Sequence, residues 1–301
     1  MVFGHAMLAV LVALVVITFR LLSHGKHLSV SRSSSSEENL GKLAPNDTQH
    51  IQKVLREGII LAGGAAAILL QLAMPGIGKA IDIHSNFSYR PLDRLRTTMT
   101  FIYCMAFGTP QEKRIVVDMV HRAHAPVKGA GYSADDVRLQ LWVAASLYAI
   151  DISLYEDTFG WMDEAAAEAV YREYAVFATS LRVPVEMWPV NRKAFWAYWD
   201  QQIEQVEVTP EAKGVAHDML YNKRLPLHMK ILMPSVRLIT AELLPQRVGE
   251  AYGLKRTRLG RVALGVMKAT YSLIPTYIRT YPMAYYLKDM RRRIERRSDR
   301  R

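Results

Sequence analysis

Apolar residues recur at helical spacing along most of this chain, and no segment alternates in the way a half-buried strand does. An almost unbroken apolar run of 17 residues, Ala6 to Leu22, comes first, interrupted by Thr18 and Arg20. The serine-rich stretch Ser31–Asn46 (SRSSSSEENLGKLAPN) is too polar to fold by burial and reads as a linker. Asp47-Thr48 then offers a helix N-cap, and the periodicity predicts a helix through about Gln71. Within it, Ile59–Met74 is apolar nearly all round, as in a buried helix or a second membrane span. Gly63-Gly64, Gln71 and the closing Pro75-Gly76 favour the buried helix.

Two periodic segments follow, Arg94 to Phe107 and Gln111 to His124, joined by the breaker Gly108-Thr-Pro110. Ser133-Ala-Asp-Asp136 caps a strongly apolar helix, Val137 to about Tyr155, with Trp142 on its stripe, which predicts a central packed helix. Another helix runs from Met162 through Phe177. After turns at Val183-Pro184 and Trp188-Pro189 comes a segment rich in Phe195, Trp196, Tyr198 and Trp199, either core or the lining of an apolar tunnel. Proline breaks at 226, 234, 245, 275 and 282 punctuate the rest, and five tyrosines fall between 271 and 286. That last region, Ala263–Leu287, has the character of an amphipathic surface at a membrane interface.

These patterns predict an all-α fold: a single multi-helix domain behind one N-terminal transmembrane helix. The organisation is 1–27 anchor, 28–46 linker, 47–289 helical domain and 290–301 basic tail. A cleaved signal peptide is the competing reading of the first run. Against it, no Lys or Arg lies in the first five residues and no small-x-small cleavage site precedes the polar stretch. Arg20, Lys26 and Arg32 follow the run, so the positive-inside tendency puts the body in the cytosol. The formal net charge of +11 suggests an anionic surface as partner. The tail contributes seven arginines against two acids. Its basic residues form no recognisable helix-turn-helix or zinc module, so no nucleic-acid partner is expected. One cysteine excludes an internal disulfide framework.

Candidate chemistry gathers on the two segments around Gly108. Arg94 and Thr98 are i,i+4 and share a face, beside Thr97; His121 and His124 are i,i+3 near the end of the second segment. Antiparallel packing would bring a guanidinium, a hydroxyl and an imidazole to one pocket. Each residue also has an ordinary reading: a surface cation, half-buried hydroxyls bonding backward along their helix, and core histidines. The histidine pair lacks a third ligand at zinc spacing, and Cys104, in apolar surroundings, reads as a buried thiol. Asp151 is either a buried acid or a helix-face carboxylate. Glu57 is either a solvated carboxylate near a helix start or a buried partner for an arginine.

The ordered set Arg94-x-x-x-Thr98 and His124-x-x-Val127-x-Gly129 resembles the superfamily of rubber (latex-clearing) oxygenases and MpaB-type oxygenases. The similarity reaches upstream through Glu57, Gly63-Gly64, Leu70-Gln71, Pro75 and His84-Ser85, and downstream to Leu244-Pro245. It covers roughly 52–285. The resemblance implies an all-helical haem b (iron) protein that oxygenates or cleaves isoprenoid chains with O2. It implies His124 as the metal ligand, Arg94 and Thr97 as further cofactor-binding residues, and Arg94 and Thr98 as catalytic residues. Where rubber oxygenases can carry a distal lysine, this chain has Thr97, so no lysine-closed state is implied. Their catalytic glutamate has no counterpart between Glu57 and Arg94, where Asp82 and His84 are the nearest substitutes. The expected function is a membrane-tethered oxygenase of an isoprenoid-like substrate; the alternative is a non-enzymatic membrane-associated adaptor.

Overall fold

The computed structural model describes residues 48–84 and 91–298; the expected anchor and linker, 1–46, lie outside the described residues. The described chain is mostly helical. Its only described strands are β1 (Lys128–Gly129) and β2 (Tyr132–Ser133), a two-rung antiparallel hairpin.

The helix expected over the first 25 residues of the domain is broken in three. α1 (Gln49–Leu55) ends before Glu57, whose backbone is extended, and a 3₁₀ segment, Gly58–Gly63, leads into α2 (Gly64–Leu72). The chain bends by 65° across this break. Close contact explains it. A Cβ on Gly63 would lie 2.3 Å from Ile150 Cγ2, and one on Gly58 would lie 2.9 Å from the Arg279 carbonyl oxygen. The backbone itself rests on its neighbours here, and 3₁₀ tightening keeps it there. α2 is buried, as its all-round apolarity predicts.

The domain is built around α6 (Val137–Phe159). Its preceding elements are α3 (Pro75–His84), α4 (Pro91–Phe107) and α5 (Pro110–His124). Asp136 caps α6 by accepting from the Arg138 N–H, and Gly160, at φ 93°, ends it. α6 is long and apolar enough to cross a bilayer, yet most of its apolar stretch is buried inside the protein: it is the core helix. Beside it lie α7 (Glu164–Tyr174), α8 (Val176–Thr179) and α9 (Arg192–Gln205). Tyr148 of α6 meets Tyr171, Tyr174 and Phe195 edge-on at centroid distances of 4.7–5.1 Å. The aromatic stretch around Phe195 is therefore core rather than tunnel.

Asp151 is the buried acid of the two readings. It accepts a 3.0 Å hydrogen bond from the Tyr174 hydroxyl, and burial pushes its pKa up to about 7, against the lowering effect of that bond. The native state thus holds this proton more tightly than the unfolded chain, whose carboxyl titrates near 3.9. The stability it contributes falls as pH rises from about 4 through 7. Asp151→Asn keeps an acceptor for Tyr174 and removes the charge. Its stability relative to the wild type should rise by about 2–3 kcal/mol between pH 5 and pH 8, by denaturant unfolding.

The C-terminal part comprises α10 (Pro210–Leu220), α11 (Leu227–Leu243), α12 (Gln246–Ala251), α13 (Arg258–Tyr271), α14 (Thr276–Arg279) and α15 (Tyr281–Ser298). α15 runs through the expected boundary at 289, so residues 290–298 of the expected basic tail continue this helix, with Arg291, Arg292 and Arg296 exposed on it. Two of its arginines have partners, and a third arginine reaches it from α4. Arg96 of α4 ion-pairs with Asp289, Arg293 donates to Thr100 Oγ1 at 2.8 Å, and Arg291 pairs with Glu112 of α5 at 2.8 Å. α15 thereby braces the helix pair that carries the candidate chemistry.

Candidate functional site

The α4–Gly108–α5 turn is set by local chemistry. Thr109 caps α5 in a reciprocal capping box: its hydroxyl accepts from the Glu112 N–H, and the Glu112 carboxylate accepts from the Thr109 N–H. Pro110, which has no N–H to donate, starts the helix. α4 and α5 pack on each other across this short turn, which brings the start of α4 toward the end of α5.

Arg94 sits on the first turns of α4, open to solvent on one side, yet enclosed by enough protein that burial lowers its pKa. Its guanidinium is thus crowded by protein on one side while the other side meets solvent. Thr98 lies one turn on, exposed, on the same face. Thr97 is exposed as well, and its hydroxyl donates to the Asp93 carbonyl at 2.9 Å, leaving its lone pairs to accept from another group. His124 is the last residue of α5. Burial lowers its pKa, with further lowering by Arg94, His121 and Arg182 against a raising effect of Asp135. Its imidazole is therefore held neutral at pH 7, and the field of Arg94 reaches it. His124 Nδ1 is buried without a hydrogen-bond partner, and so is His121 Nε2. His121 is also kept neutral, by burial and then by Arg182.

The loop behind His124 is tightly closed. A Cβ on Gly129 would fall 2.6 Å from the Tyr132 hydroxyl, so a side chain there would push that ring aside as the β-hairpin closes. Asp136 is spent on the α6 cap, while the neighbouring Asp135 pairs with Arg182 at 3.6 Å. Arg182 adopts φ 77°, the one positive φ among described non-glycine residues. Such a conformation costs about 1–3 kcal/mol and persists where surroundings demand it. Asp135 and Arg182 are site residues that sequence reasoning missed. Arg182 carries no local signal, and Asp135 is masked by its resemblance to an ordinary cap.

Burial pushes the Cys104 thiol up to about 12, so it is no thiolate at neutral pH. Asp82 is exposed on α3. Among the described residues no three His, Cys, Asp or Glu side chains are grouped to hold a metal ion by themselves. A haem makes no such demand, since one axial imidazole is enough. Two surface hollows, of about 600 Å³ along α15 and about 340 Å³ between α6 and α9, lie away from His124.

Two curated relatives are similar to this chain: an uncharacterized protein of Mycobacterium bovis and another of Mycobacterium tuberculosis. Each is 30% identical over 244 residues, covering 75% of this chain and 94% of the relative. No solved structure matches significantly. The model of the family described as ER-bound oxygenase mpaB/B'/rubber oxygenase, catalytic domain, matches residues 51–274, a span that runs from within α1 to beyond α13 and includes every candidate site residue just described. The chain belongs to that oxygenase catalytic-domain family.

Proposed function

We propose that this protein is a membrane-tethered, haem b-dependent oxygenase acting with O2 on an apolar, isoprenoid-type chain. The observation that carries the reading is a neutral imidazole, His124, with a buried and unpartnered ring nitrogen, set within the field of a half-enclosed arginine. The donor set fits haem: a neutral imidazole for iron, and a guanidinium able to pair with a propionate carboxylate. Bound haem would supply the dioxygen chemistry.

The chain's own residues do the rest. The enclosure that desolvates His124 keeps a second proton off its ring, so one nitrogen lone pair stays available for a metal. Arg94 supplies a fixed positive charge that never titrates near neutrality, suited to anchoring an anionic edge of the cofactor. Thr98, on the same face, can donate or accept beside a polar group of the bound substrate, and Thr97 can accept from one. Asp135 and Arg182, paired with each other, hold the loop behind the imidazole. The apolar run Ala6–Leu22, with Arg20, Lys26 and Arg32 beyond it, supports a single-pass anchor with the body on the cytosolic side of the endoplasmic reticulum. Protection of the body from protease in sealed microsomes would overturn that orientation.

The test is an absorption spectrum of the full chain, expressed with ample haem, beside His124→Ala and His121→Ala. The wild type should show a Soret band that His124→Ala loses or shifts, whereas His121→Ala keeps it. Since the His124 pKa is lowered, proton competition should set in below the ordinary value of about 6.5, and the band should hold from pH 8 to about 6.5. No Soret band in the wild type would leave the non-enzymatic adaptor as the standing reading. Loss of the band in His121→Ala alone would move the ligand by one turn.

A further inference from the structure

The hairpin of α11 and α13 presents an apolar outer face that nothing among the described residues covers. α13 starts at the end of α11: the Thr257 N–H donates to Glu242 Oε1 at 2.8 Å, and Arg256 donates to the Leu244 carbonyl at 2.6 Å. The two helices then pack closely, so α13 runs back toward the start of α11. Leu259, Val262, Val266 and Ala269 fall on one α13 stripe, at i, i+3, i+7 and i+10, and Leu273 follows just past the helix end. Leu259 and Val262 are 67% and 61% exposed, Leu273 is 75% exposed and Tyr277 74%. On α11, Leu227 and Ile231 are i,i+4 and are 74% and 66% exposed. Six large apolar side chains on one helical hairpin and the turn beyond it exceed the scattered exposure of an ordinary surface.

Charge identifies what would cover them. Between residues 219 and 288 the chain holds twelve Lys and Arg residues against two acids, Glu242 and Glu250. Glu242 is occupied at the Thr257 N–H. Lys230 stands beside Ile231, and Lys255, Arg258 and Arg261 flank the start of the α13 stripe, all of them exposed. We infer that this face docks on an anionic lipid leaflet, its apolar side chains entering the acyl boundary and its cations meeting headgroup phosphates and carboxylates. The chemistry is that of an interfacial amphipathic surface: apolar burial supplies depth, and each cation near the surface adds about 1 kcal/mol on an anionic leaflet. A second copy would place the same cations against one another, which disfavours it.

This inference rests on the face alone and stands whether or not haem binds. The test uses the full chain reconstituted with vesicles, in three variants, Val262→Cys, Tyr277→Cys and, as a reference, Glu186→Cys, each labelled with an environment-sensitive fluorophore. The native Cys104 is buried and unreactive. The readout is probe depth, so it is independent of any insertion of Ala6–Leu22. With phosphatidylcholine vesicles containing phosphatidylserine, the Val262 and Tyr277 probes should shift to the blue. Nitroxide-bearing lipid should quench them several-fold more than the Glu186 probe, and Arg258→Glu with Arg261→Glu should reduce that quenching. Equal quenching at all three positions, or none at Val262 and Tyr277 on vesicle-bound protein, overturns the inference. So does an equal response on pure phosphatidylcholine. A blue shift without lipid overturns it too: one that grows with protein concentration assigns the face to a second copy, and a constant one to the remainder of this chain.

Discussion

Glu57→Ala should destabilise the protein by about 3–5 kcal/mol, because it strands a buried guanidinium. Glu57 is almost fully buried in the bend between α1 and the 3₁₀ segment. Its Oε2 accepts from Arg279 Nη1 at 3.1 Å, and its Oε1 lies 3.4 Å from Arg56 Nε. Arg279 is itself mostly buried, packed 5.3 Å over the Phe159 ring and 5.8 Å from that of Tyr271. Its Nε already lacks a partner. Truncating the carboxylate leaves the cation without compensation in a place water reaches poorly. The pair joins segments 222 residues apart, so its loss loosens the closure of the C-terminal helices on the start of the domain. The measurement is the urea midpoint of the variant. The informative control is Glu57→Leu with Arg279→Met, which removes both charges and should recover most of the loss. A double variant as unstable as the single one would show that packing, not charge, holds this bend.

Local rules on the sequence anticipate much of this architecture, and they fail where a tertiary contact decides. The α4–α5 turn is legible because Gly108, Thr109 and Pro110 each act within one turn of the chain. The approach of Arg94 to His124 then follows from the spacing of residues on two helices joined by a short connection. The core role of α6 is legible in the same way, since its stripe is apolar and Asp136 and Gly160 bound it. The break at Glu57 is not, because periodicity continues through it. What bends the chain is the seat of Gly63 on Ile150, and of Glu57 on Arg279, both far away in sequence. The basic end of the chain is legible only in part, for a related reason. Seven arginines read as a polybasic segment or a solvated tail, yet two of them are engaged: Arg291 by Glu112, and Arg293 by Thr100 and Asp289. Arg182 shows the limit most plainly. Its positive φ and its pairing with Asp135 beside the histidines depend on a loop whose position only the assembled fold defines.

The same dependence on long-range packing makes Trp142→Ala the most damaging core substitution expected on α6. Trp142 is fully buried, stacks on Trp199 of α9 at a centroid distance of 5.2 Å and 23°, and donates from Nε1 to the Leu70 carbonyl at 2.9 Å. Truncation opens a cavity at the junction of α2, α6 and α9, at about 3–5 kcal/mol for a large aromatic. It also forfeits roughly 0.5–1.5 kcal/mol of ring stacking. The Leu70 carbonyl oxygen loses its side-chain donor. Since that carbonyl sits near the end of α2, the damage reaches the helix that Gly63 seats on the core. Against typical domain stabilities of about 5–15 kcal/mol, a loss near the upper end of this range leaves a chain that is partly unfolded at 37 °C. Trp142→Phe separates the contributions. It keeps most of the volume and a stacking surface while removing the N–H, and should lose about 1–2 kcal/mol. Urea midpoints measured on both variants, with unchanged slopes, give the two numbers. Equal losses for Phe and Ala would assign the site's importance to the single hydrogen bond with Leu70 rather than to the aromatic seam between α6 and α9.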